Sequence, residues 1–219
     1  MKAFVAGATG QTGRRIVEEL VKRDIPVRAL VRNLEKAQEV LPPNVEIVVG
    51  DVTEPQKLPD SIGDSTVVLC ATGATPSFDF TAPYRVDCEG TKHLVDVAKE
   101  KGIEHFVFVS SLCTSQFFHP LNLFWLILFW KKQAEEYLQK SGLTYTIVRP
   151  GGLKNEENGY PVVMESADRL SDGSIPRSQV ARVCVEALFV PASQNKIVEV
   201  IAKPEAAEKS PEQLFASVA

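Results

Sequence analysis

The chain has 219 residues, of which 44% are hydrophobic and 24% charged, and its formal net charge at pH 7 is −4. That length and composition predict a soluble globular protein with a core of ordinary size. The acidic balance argues against a general polyanion-binding surface, so nucleic acid is not an expected partner.

Neither the cysteines nor the apolar runs indicate a special compartment. Cys70, Cys88, Cys113 and Cys184 lack the spacing of a metal site or a redox motif, so we expect reduced thiols, no metal and a cytoplasmic location. The first predicted strand begins at residue 2, and no apolar run reaches the roughly 18–20 residues that cross a bilayer. The sequence therefore predicts no signal, transit or membrane-spanning segment.

The first predicted element is a short apolar strand at residues 2–6, followed by the turn Gly-Ala-Thr-Gly-Gln-Thr-Gly and by a helix that begins at Arg14. Gly7 would permit the tight turn, Gly10 would let the backbone approach a pyrophosphate, and Gly13 would let the helix pack closely. Amide groups at the helix start would face the phosphates, which predicts a dinucleotide site. The residues expected to bind the cofactor in this turn are Gly7, Thr9, Gly10, Gln11, Thr12 and Gly13.

The end of the second predicted strand, residues 26–31, indicates which dinucleotide binds. At this position an NAD site carries an acidic residue for the ribose 2′-hydroxyl, whereas an NADP site carries arginine for the 2′-phosphate. This chain has Arg32, with Lys36 one turn further on, and both can bind phosphate oxygens. The pattern favours NADP(H) over NAD(H). Glu35 nearby speaks for NAD(H), and Arg32 as a solvated surface residue is the alternative.

Strand and helix patterns alternate along the rest of the chain. Apolar runs typical of strands buried on both faces lie at residues 45–49, 65–71, 106–110, 145–148 and 197–201. Helical patterns lie at residues 84–100, 131–140 and 179–188. This alternation predicts a doubly wound parallel α/β sheet. We expect a single domain, 1–219, with a dinucleotide-binding core at 1–153 and a small cap with the C-terminal strand and helix at 154–219.

Ligands of such sheets bind outside the carboxyl ends of the strands, so the residues that follow each strand are the next candidates. After the third strand, Asp51 could accept a hydrogen bond from an adenine amino group and Val52 could pack on the ring. A simple Asp turn is the alternative. After the fourth strand, the small residues Ala71, Thr72 and Gly73 would let the backbone approach a ribose or the pyrophosphate. A helix-entry loop, residues 71–75, is the alternative there.

The fifth and sixth strands lead to the expected nicotinamide end. Ser110 and Ser111 follow the fifth strand. Pro150, Gly151 and Gly152 form a rigid turn after the sixth, where a nicotinamide ring would end. These residues complete the predicted cofactor site.

An aromatic stretch at residues 117–130 contains both tryptophans of the chain. It could be a buried core helix with its leading loop, an aromatic wall that stacks a flat acceptor, or an exposed patch for a protein or membrane surface. In the third case the contact residues would be Phe124, Trp125, Phe129 and Trp130.

Together these motifs, with the segment Lys-Lys-Gln-Ala-Glu at 131–135, resemble the atypical branch of the short-chain dehydrogenase/reductase superfamily, an NAD(P)-binding Rossmann fold. The match covers nearly the whole chain. Within that branch, the chain is similar to cyanobacterial and plastid proteins related to the NADP(H)-binding module of the chloroplast import translocon. The flavin reductase/biliverdin-IXβ reductase family shares the glycine turn. A plastid stroma-like compartment is the alternative location.

The resemblance also implies an altered active site. The superfamily's lysine corresponds to Lys131, but the tyrosine four residues earlier is replaced by Ile127, which cannot donate a proton. Lys131 would hold the nicotinamide ribose, Ser111 would orient the acceptor, and residues 150–152 would bring backbone groups near the carboxamide. The alternatives are a helix-capping role for Ser111 and a solvated Lys131.

Because this site lacks the tyrosine, the resemblance implies an NADPH-dependent reductase of a flat conjugated acceptor such as a flavin, quinone or bilin. Reduction of such an acceptor needs no positioned phenol. We expect a monomer. A non-enzymatic NADP(H)-binding module for redox sensing or assembly, working through the aromatic stretch, is the alternative. If Ile127 is misaligned, an ordinary ketone reductase remains a third hypothesis.

Overall fold

A computed structural model describes residues 1–74, 79–123 and 125–218. Its strands are β1 (Ala3–Ala6), β2 (Val27–Val31), β3 (Glu46–Val49), β4 (Val67–Cys70), β5 (His105–Val109), β6 (Tyr145–Pro150), β7 (Gly152–Lys154), β8 (Val162–Ser166), β9 (Ser174–Pro176) and β10 (Lys196–Ala202). Its α-helices are α1 (Gly13–Val21), α2 (Leu34–Val40), α3 (Leu58–Ile62), α4 (Gly90–Glu100), α5 (Ile127–Lys140), α6 (Arg177–Glu186) and α7 (Pro211–Ala216). A π-helical segment, Pro83–Glu89, precedes α4 directly.

Eight strands form one sheet in the order β3-β2-β1-β4-β5-β6-β10-β8, and β7 pairs with β9 in a separate two-stranded sheet. Every neighbouring pair in the large sheet is parallel except β10 and β8. From β1 the chain moves outward to β2 and β3, then returns to place β4 on the other side of β1. This reversal confirms the predicted doubly wound α/β fold and creates a switch point between β1 and β4.

Helices cover both faces of the sheet, which explains why the central strands are apolar throughout. One face packs against α1 and α6 through Ile16, Val17, Leu20, Val180 and Cys184, all buried. The other packs against α3, α4 and α5 through Leu58, Ile62, Leu94, Ala98 and Leu138. Strands β1 and β4 are buried at every position because they lie between these two layers.

Helix α5 begins at Ile127, one turn before the predicted start at Lys131. The reason is a capping contact from a distance: Oδ1 of Asn122 accepts the backbone N–H groups of Leu128 and Phe129 at 3.0 and 3.2 Å. Ile127 and Lys131 therefore lie on the same face of one continuous helix.

Several short elements were not predicted from the sequence. Helix α2 follows Arg32 at once, because the Asn33 side chain accepts the Lys36 N–H at 2.7 Å and caps the helix. Strands β7, β8 and β9 are too short to show a period. The expected C-terminal helix is present as α7, which begins behind a Ser210 capping box and buries Phe215. In the described parts of the chain, no helix is long and apolar enough to cross a membrane.

Candidate functional site

The glycine turn lies at the switch point and closes so tightly that side chains are excluded. Gly7 has φ +79°, and a Cβ there would lie 2.6 Å from the carbonyl oxygen of Ala71. A Cβ on Gly13 would lie 2.1 Å from the carbonyl oxygen of Gly7, so the start of α1 packs directly on the end of β1. The Thr12 side chain makes no capping bond to α1. Nothing from that side chain competes with an anion at the helix start.

A cleft of about 170 Å³ opens above this turn, between the ends of β1, β2, β3 and β4. Most of its lining residues belong to the cofactor site predicted from the sequence. These are Gly7, Thr9, Gly10, Arg32, Lys36, Asp51, Val52, Ala71, Thr72 and Gly73. Leu30, Val31, Gly50 and Val86 complete the lining. The fold thus joins residues from five separate stretches of the chain.

One end of the cleft is cationic. Arg32 directly follows β2, and Lys36 lies in the first turn of α2, so both side chains flank the same opening. Both are exposed. Two exposed cations at this point provide donors for a phosphate group outside the ribose.

Asp51 and Val52 form the floor beneath that end. Oδ1 of Asp51 accepts the backbone N–H and the hydroxyl of Thr53, both at 2.9 Å, so this oxygen closes an Asx turn. Val52 is buried and packs closely on Gly90, the first residue of α4, because a Cβ there would lie 2.5 Å from Cγ2 of Val52. The simple Asp turn, which the sequence offered as the alternative, is therefore present, and it is formed by Oδ1.

The loop after β4 is held by buried polar contacts. The Thr72 hydroxyl lies 3.3 Å from Sγ of Cys70, whose pKa is raised by burial. The backbone N–H of Ala74 donates to Oδ2 of Asp87 at 2.9 Å. Thr75, which the sequence placed in this loop, lies outside the described residues.

Lys131 is paired with Asp87, an acidic residue that the sequence reasoning missed. Nζ of Lys131 lies 2.9 Å from Oδ1 of Asp87, which is fully buried, and 5.6 Å from the centre of the Phe108 ring. The Lys131 side chain is only 11% exposed, so it is not the solvated lysine of the alternative interpretation. Asp87 could have been suspected, because an acidic residue four before Thr91 and seven before Leu94 lies on the inner face of the helix pattern.

The serines after β5 have different surroundings. Ser110 is buried and its hydroxyl donates to Oε1 of Glu135 at 2.6 Å. Ser111 is half-buried. Neither lines the 170 Å³ cleft.

The turn after β6 is bonded within the protein at two points. The Pro150 carbonyl accepts the Leu112 N–H at 3.0 Å, and the Gly152 N–H donates to Gly173 at 2.8 Å. Gly151 is buried, and a Cβ there would lie 2.6 Å from the Gly173 carbonyl. These three residues, like Gln11, Thr12, Gly13 and Lys131, do not line the 170 Å³ cleft. Their roles toward a cofactor stay predictions.

The aromatic stretch is a loop and a helix start, not a buried core helix. Phe118 is 95% exposed and Leu123 is 81% exposed, whereas Leu128 is buried. Two edge-on ring pairs join this stretch to the segment that precedes α4: Phe80 with Trp125 at 4.0 Å, and Tyr84 of the π-helical segment with Trp130 at 4.8 Å between centroids. Phe124 lies outside the described residues.

A larger cleft, of about 350 Å³, lies beneath α7 and between β8 and α6. Its lining includes none of the site residues predicted from the sequence. Across residues 1–74, 79–123 and 125–218, no group of three or more His, Cys, Asp or Glu side chains could hold a metal ion.

The sheet order, the glycine turn at the switch point and the cleft above it define a nucleotide-binding protein with a Rossmann fold. A family described as NAD(P)H-binding matches residues 7–191. The chain belongs to that NAD(P)H-binding family, and the resemblance drawn from its motifs is confirmed.

Relatives cover nearly all of the chain. An uncharacterized chloroplastic protein of Arabidopsis thaliana is 51% identical over 99% of this chain and 82% of its own length. The chloroplastic protein TIC 62 of Pisum sativum is 38% identical over 98% of this chain, which spans 45% of that protein. Sanguinarine reductase of Eschscholzia californica is 31% identical over 100% of this chain and 96% of its own length. The family therefore includes an oxidoreductase.

Solved structures show the same fold. A protein of Bacillus halodurans assigned as an NAD-dependent epimerase/dehydratase is 28% identical, with a TM-score of 0.88 and 99% of each chain covered. ChuY of Escherichia coli O157:H7, an anaerobilin reductase, is 22% identical, with a TM-score of 0.79 over 95% of this chain and 100% of its own. A short-chain dehydrogenase/reductase of Veillonella parvula in complex with NADP is 19% identical, with a TM-score of 0.74 over 95% and 98%.

Proposed function

We propose that the protein is an NADPH-dependent reductase that acts on a flat conjugated acceptor without a catalytic tyrosine. The observation that carries the proposal is the position of Ile127 on α5. It lies one turn before the buried Lys131, where the superfamily's proton-donating tyrosine is expected. A site with this pair suits an acceptor that needs no positioned acid.

The residues present fit a dinucleotide. Gly7 and Gly13 leave a backbone cradle that a Cβ would fill, as the pyrophosphate site requires. Arg32 and Lys36 would bind the 2′-phosphate that distinguishes NADP(H) from NAD(H). Asp51 would accept a hydrogen bond from the adenine amino group through Oδ2, since Oδ1 is occupied by Thr53.

When bound, a reduced nicotinamide supplies a hydride, which a conjugated acceptor can take into its π-system while its proton comes from solvent. Lys131 would hold hydroxyls of the nicotinamide ribose, and Ser111 would orient the acceptor. The backbone of residues 150–152 would lie near the carboxamide. The protein's contribution is the orientation of cofactor and acceptor.

The aromatic pairs support a flat acceptor. Phe80 and Tyr84 follow β4, whereas Trp125 precedes α5 and Trp130 lies in its first turn, and the rings of each pair are in contact. Both segments come after neighbouring parallel strands, β4 and β5, at the edge of the sheet where the acceptor would bind. Rings at this place can stack a planar molecule such as a flavin, quinone or bilin.

A second candidate function is a non-enzymatic NADP(H)-binding module that contacts a membrane or a protein. The specific observation is the exposed apolar surface formed by Phe117, Phe118, Leu121, Leu123 and Trp125. Contiguous exposed apolar side chains of this kind mark interaction sites. Trp125 belongs both to this exposed surface and to the aromatic rings proposed to stack the acceptor. One experiment must therefore separate the two functions.

The test follows the loss of NADPH absorbance while riboflavin, FMN, FAD, a soluble quinone and biliverdin are each offered in turn. We expect turnover with one acceptor class, and we expect Lys131→Ala to abolish it. The matched control is Lys140→Ala, at the exposed end of the same helix, which should leave turnover unchanged. A parallel screen of small carbonyl compounds tests the ketone reductase hypothesis, and turnover there alone would overturn the proposal.

If the protein binds NADPH but turns over no acceptor, the binding module becomes the better account. Liposome co-sedimentation would then be lost in the Trp125→Ser/Trp130→Ser double variant. Phe189→Ser is its control, because Phe189 is 48% exposed but lies after α6, near Arg23. Liposome binding unaffected by the tryptophan changes would argue against a membrane contact at this surface.

A further inference from the structure

The buried pair of Asp87 and Lys131 joins two parts of the candidate site that the sequence treats as separate. Lys131 belongs to α5, and Asp87 belongs to the π-helical segment that packs against it. The Asp87 side chain is fully buried. Replacing water around a carboxylate and an ammonium costs free energy that a single ion pair often does not return. Fold stability alone therefore explains this pair poorly.

The two carboxylate oxygens of Asp87 contact different elements. Oδ2 accepts the N–H of Ala74, in the loop that lines the cleft. Oδ1 faces Nζ of Lys131 at 2.9 Å, as an ion pair without hydrogen-bond alignment, and has no hydrogen-bond partner among the described residues. One side chain thus fixes the loop after β4 and the lysine of α5 relative to each other.

Asp87 also lies directly behind the cleft. A Cβ built on Gly73, which lines the cleft, would be 3.7 Å from Oδ1 of Asp87. The lysine ammonium lies 2.9 Å from that same oxygen, so Asp87 stands between Gly73 of the cleft and Lys131. An ammonium has three donors, and the ion pair with Oδ1 engages at most one of them.

The local backbone places Asp87 at this point. The π-helical turn Pro83–Glu89 is wider than an α-turn, and such turns occur frequently at functional sites. Its end is fixed by Gly90, where a Cβ would meet Val52 of the cleft at 2.5 Å. The helical segment that carries Asp87 is therefore packed directly against Val52 of the cleft.

We propose that Asp87 is a positioning residue, which holds Lys131 Nζ beside Gly73 so that the ammonium binds the nicotinamide riboside of the cofactor. This inference rests on the proposed place of the nicotinamide half beyond Gly73, but not on turnover. The inference divides the site into two halves. Arg32 and Lys36 bind the adenosine half of the cofactor, and Lys131, positioned by Asp87, binds the nicotinamide half.

The test compares two ligands by titration calorimetry: NADPH, and 2′,5′-ADP, which lacks the nicotinamide riboside. We expect Asp87→Asn to raise the dissociation constant of NADPH roughly tenfold, as expected when a charge-assisted contact is misplaced. Binding of 2′,5′-ADP should not change. In a Lys131→Gln background, Asp87→Asn should cause no further loss, because both substitutions remove the same contact.

Glu89→Gln is the matched control. Glu89 lies in the same π-helical segment and pairs with Lys92 at 2.9 Å, so the variant loses the same charge from a lysine pair outside the cleft. It should leave both ligands unaffected. If Asp87→Asn does not fold, Asp87→Glu gives the same comparison, because it keeps the charge and displaces it by one methylene.

Equal losses for NADPH and 2′,5′-ADP, or additive losses in the double variant, would overturn the inference and leave a purely structural pair. A wild-type protein that binds neither ligand would instead overturn the proposed cofactor. The two failures are thereby distinguishable.

Discussion

The guanidinium of Arg149 is fully buried and contacts both oxygens of Glu135, Nε with Oε1 at 3.0 Å and Nη2 with Oε2 at 2.7 Å. Ser110 donates to the same Oε1, and Glu199 and Asp168 accept from Nη1. Burial disfavours the charged guanidinium, but the hydrogen bond and charge of Glu135 outweigh it and raise the Arg149 pKa. The network fastens α5 to β6 and β10.

Glu135→Gln should lower the free energy of unfolding by about 3 kcal/mol, because it leaves a buried guanidinium without its bidentate carboxylate. Urea denaturation measures the change. The control is Glu54→Gln, which breaks the exposed pair with Lys57 and should cost less than about 1 kcal/mol. Similar small losses in both variants would show that the network does not stabilise the fold.

Arg32→Glu should weaken the binding of NADPH much more than the binding of NADH. Loss of a charge-assisted phosphate contact is worth about 1.5–3 kcal/mol, roughly a tenfold to hundredfold rise in dissociation constant. Fluorescence titration with each cofactor measures the difference. Lys22→Glu makes the same charge change at an exposed position just after α1 and should affect neither cofactor. Equal effects of Arg32→Glu on both cofactors would remove the 2′-phosphate assignment.

Buried His105 should make the fold sensitive to acid. Its Nε2 lies 2.9 Å from the Thr146 hydroxyl, and burial lowers its pKa from 6.5 to about 4. Because the unfolded chain takes up this proton first, the free energy of unfolding falls as pH drops from 6.5 to 4. Over this whole pH interval, the titration of His105 lowers the free energy of unfolding by about 3 kcal/mol.

The variant His105→Gln removes this titration, so its unfolding free energy should fall less steeply over the same pH interval. Urea denaturation at a series of pH values gives both slopes. Identical slopes would mean that His105 is not buried in its neutral form.

Local patterns in the sequence predicted the parts of the site that depend on neighbours in the chain. The glycine spacing, the strand-turn-helix order and Arg32 at the end of β2 are such features, and the structure brings Gly7, Thr9, Gly10 and Arg32 to one cleft. Parallel strands between two helical layers were predictable because burial on both faces requires apolar runs.

Contacts between distant segments could not be predicted in this way. Asn122 sets the start of α5 from outside the helix, so periodicity alone placed that start one turn too late. The pairing of Asp87 with Lys131 needs the π-helical turn to pack on α5.

The sequence by itself therefore determined the fold and the glycine turn at its switch point, because each depends on residue types at fixed spacing. Only the tertiary structure decided which charged side chains are buried together and which aromatic rings are exposed to solvent. Side chains far apart in the sequence become partners only when packing excludes water from between them, as it does for Arg149 and Glu135.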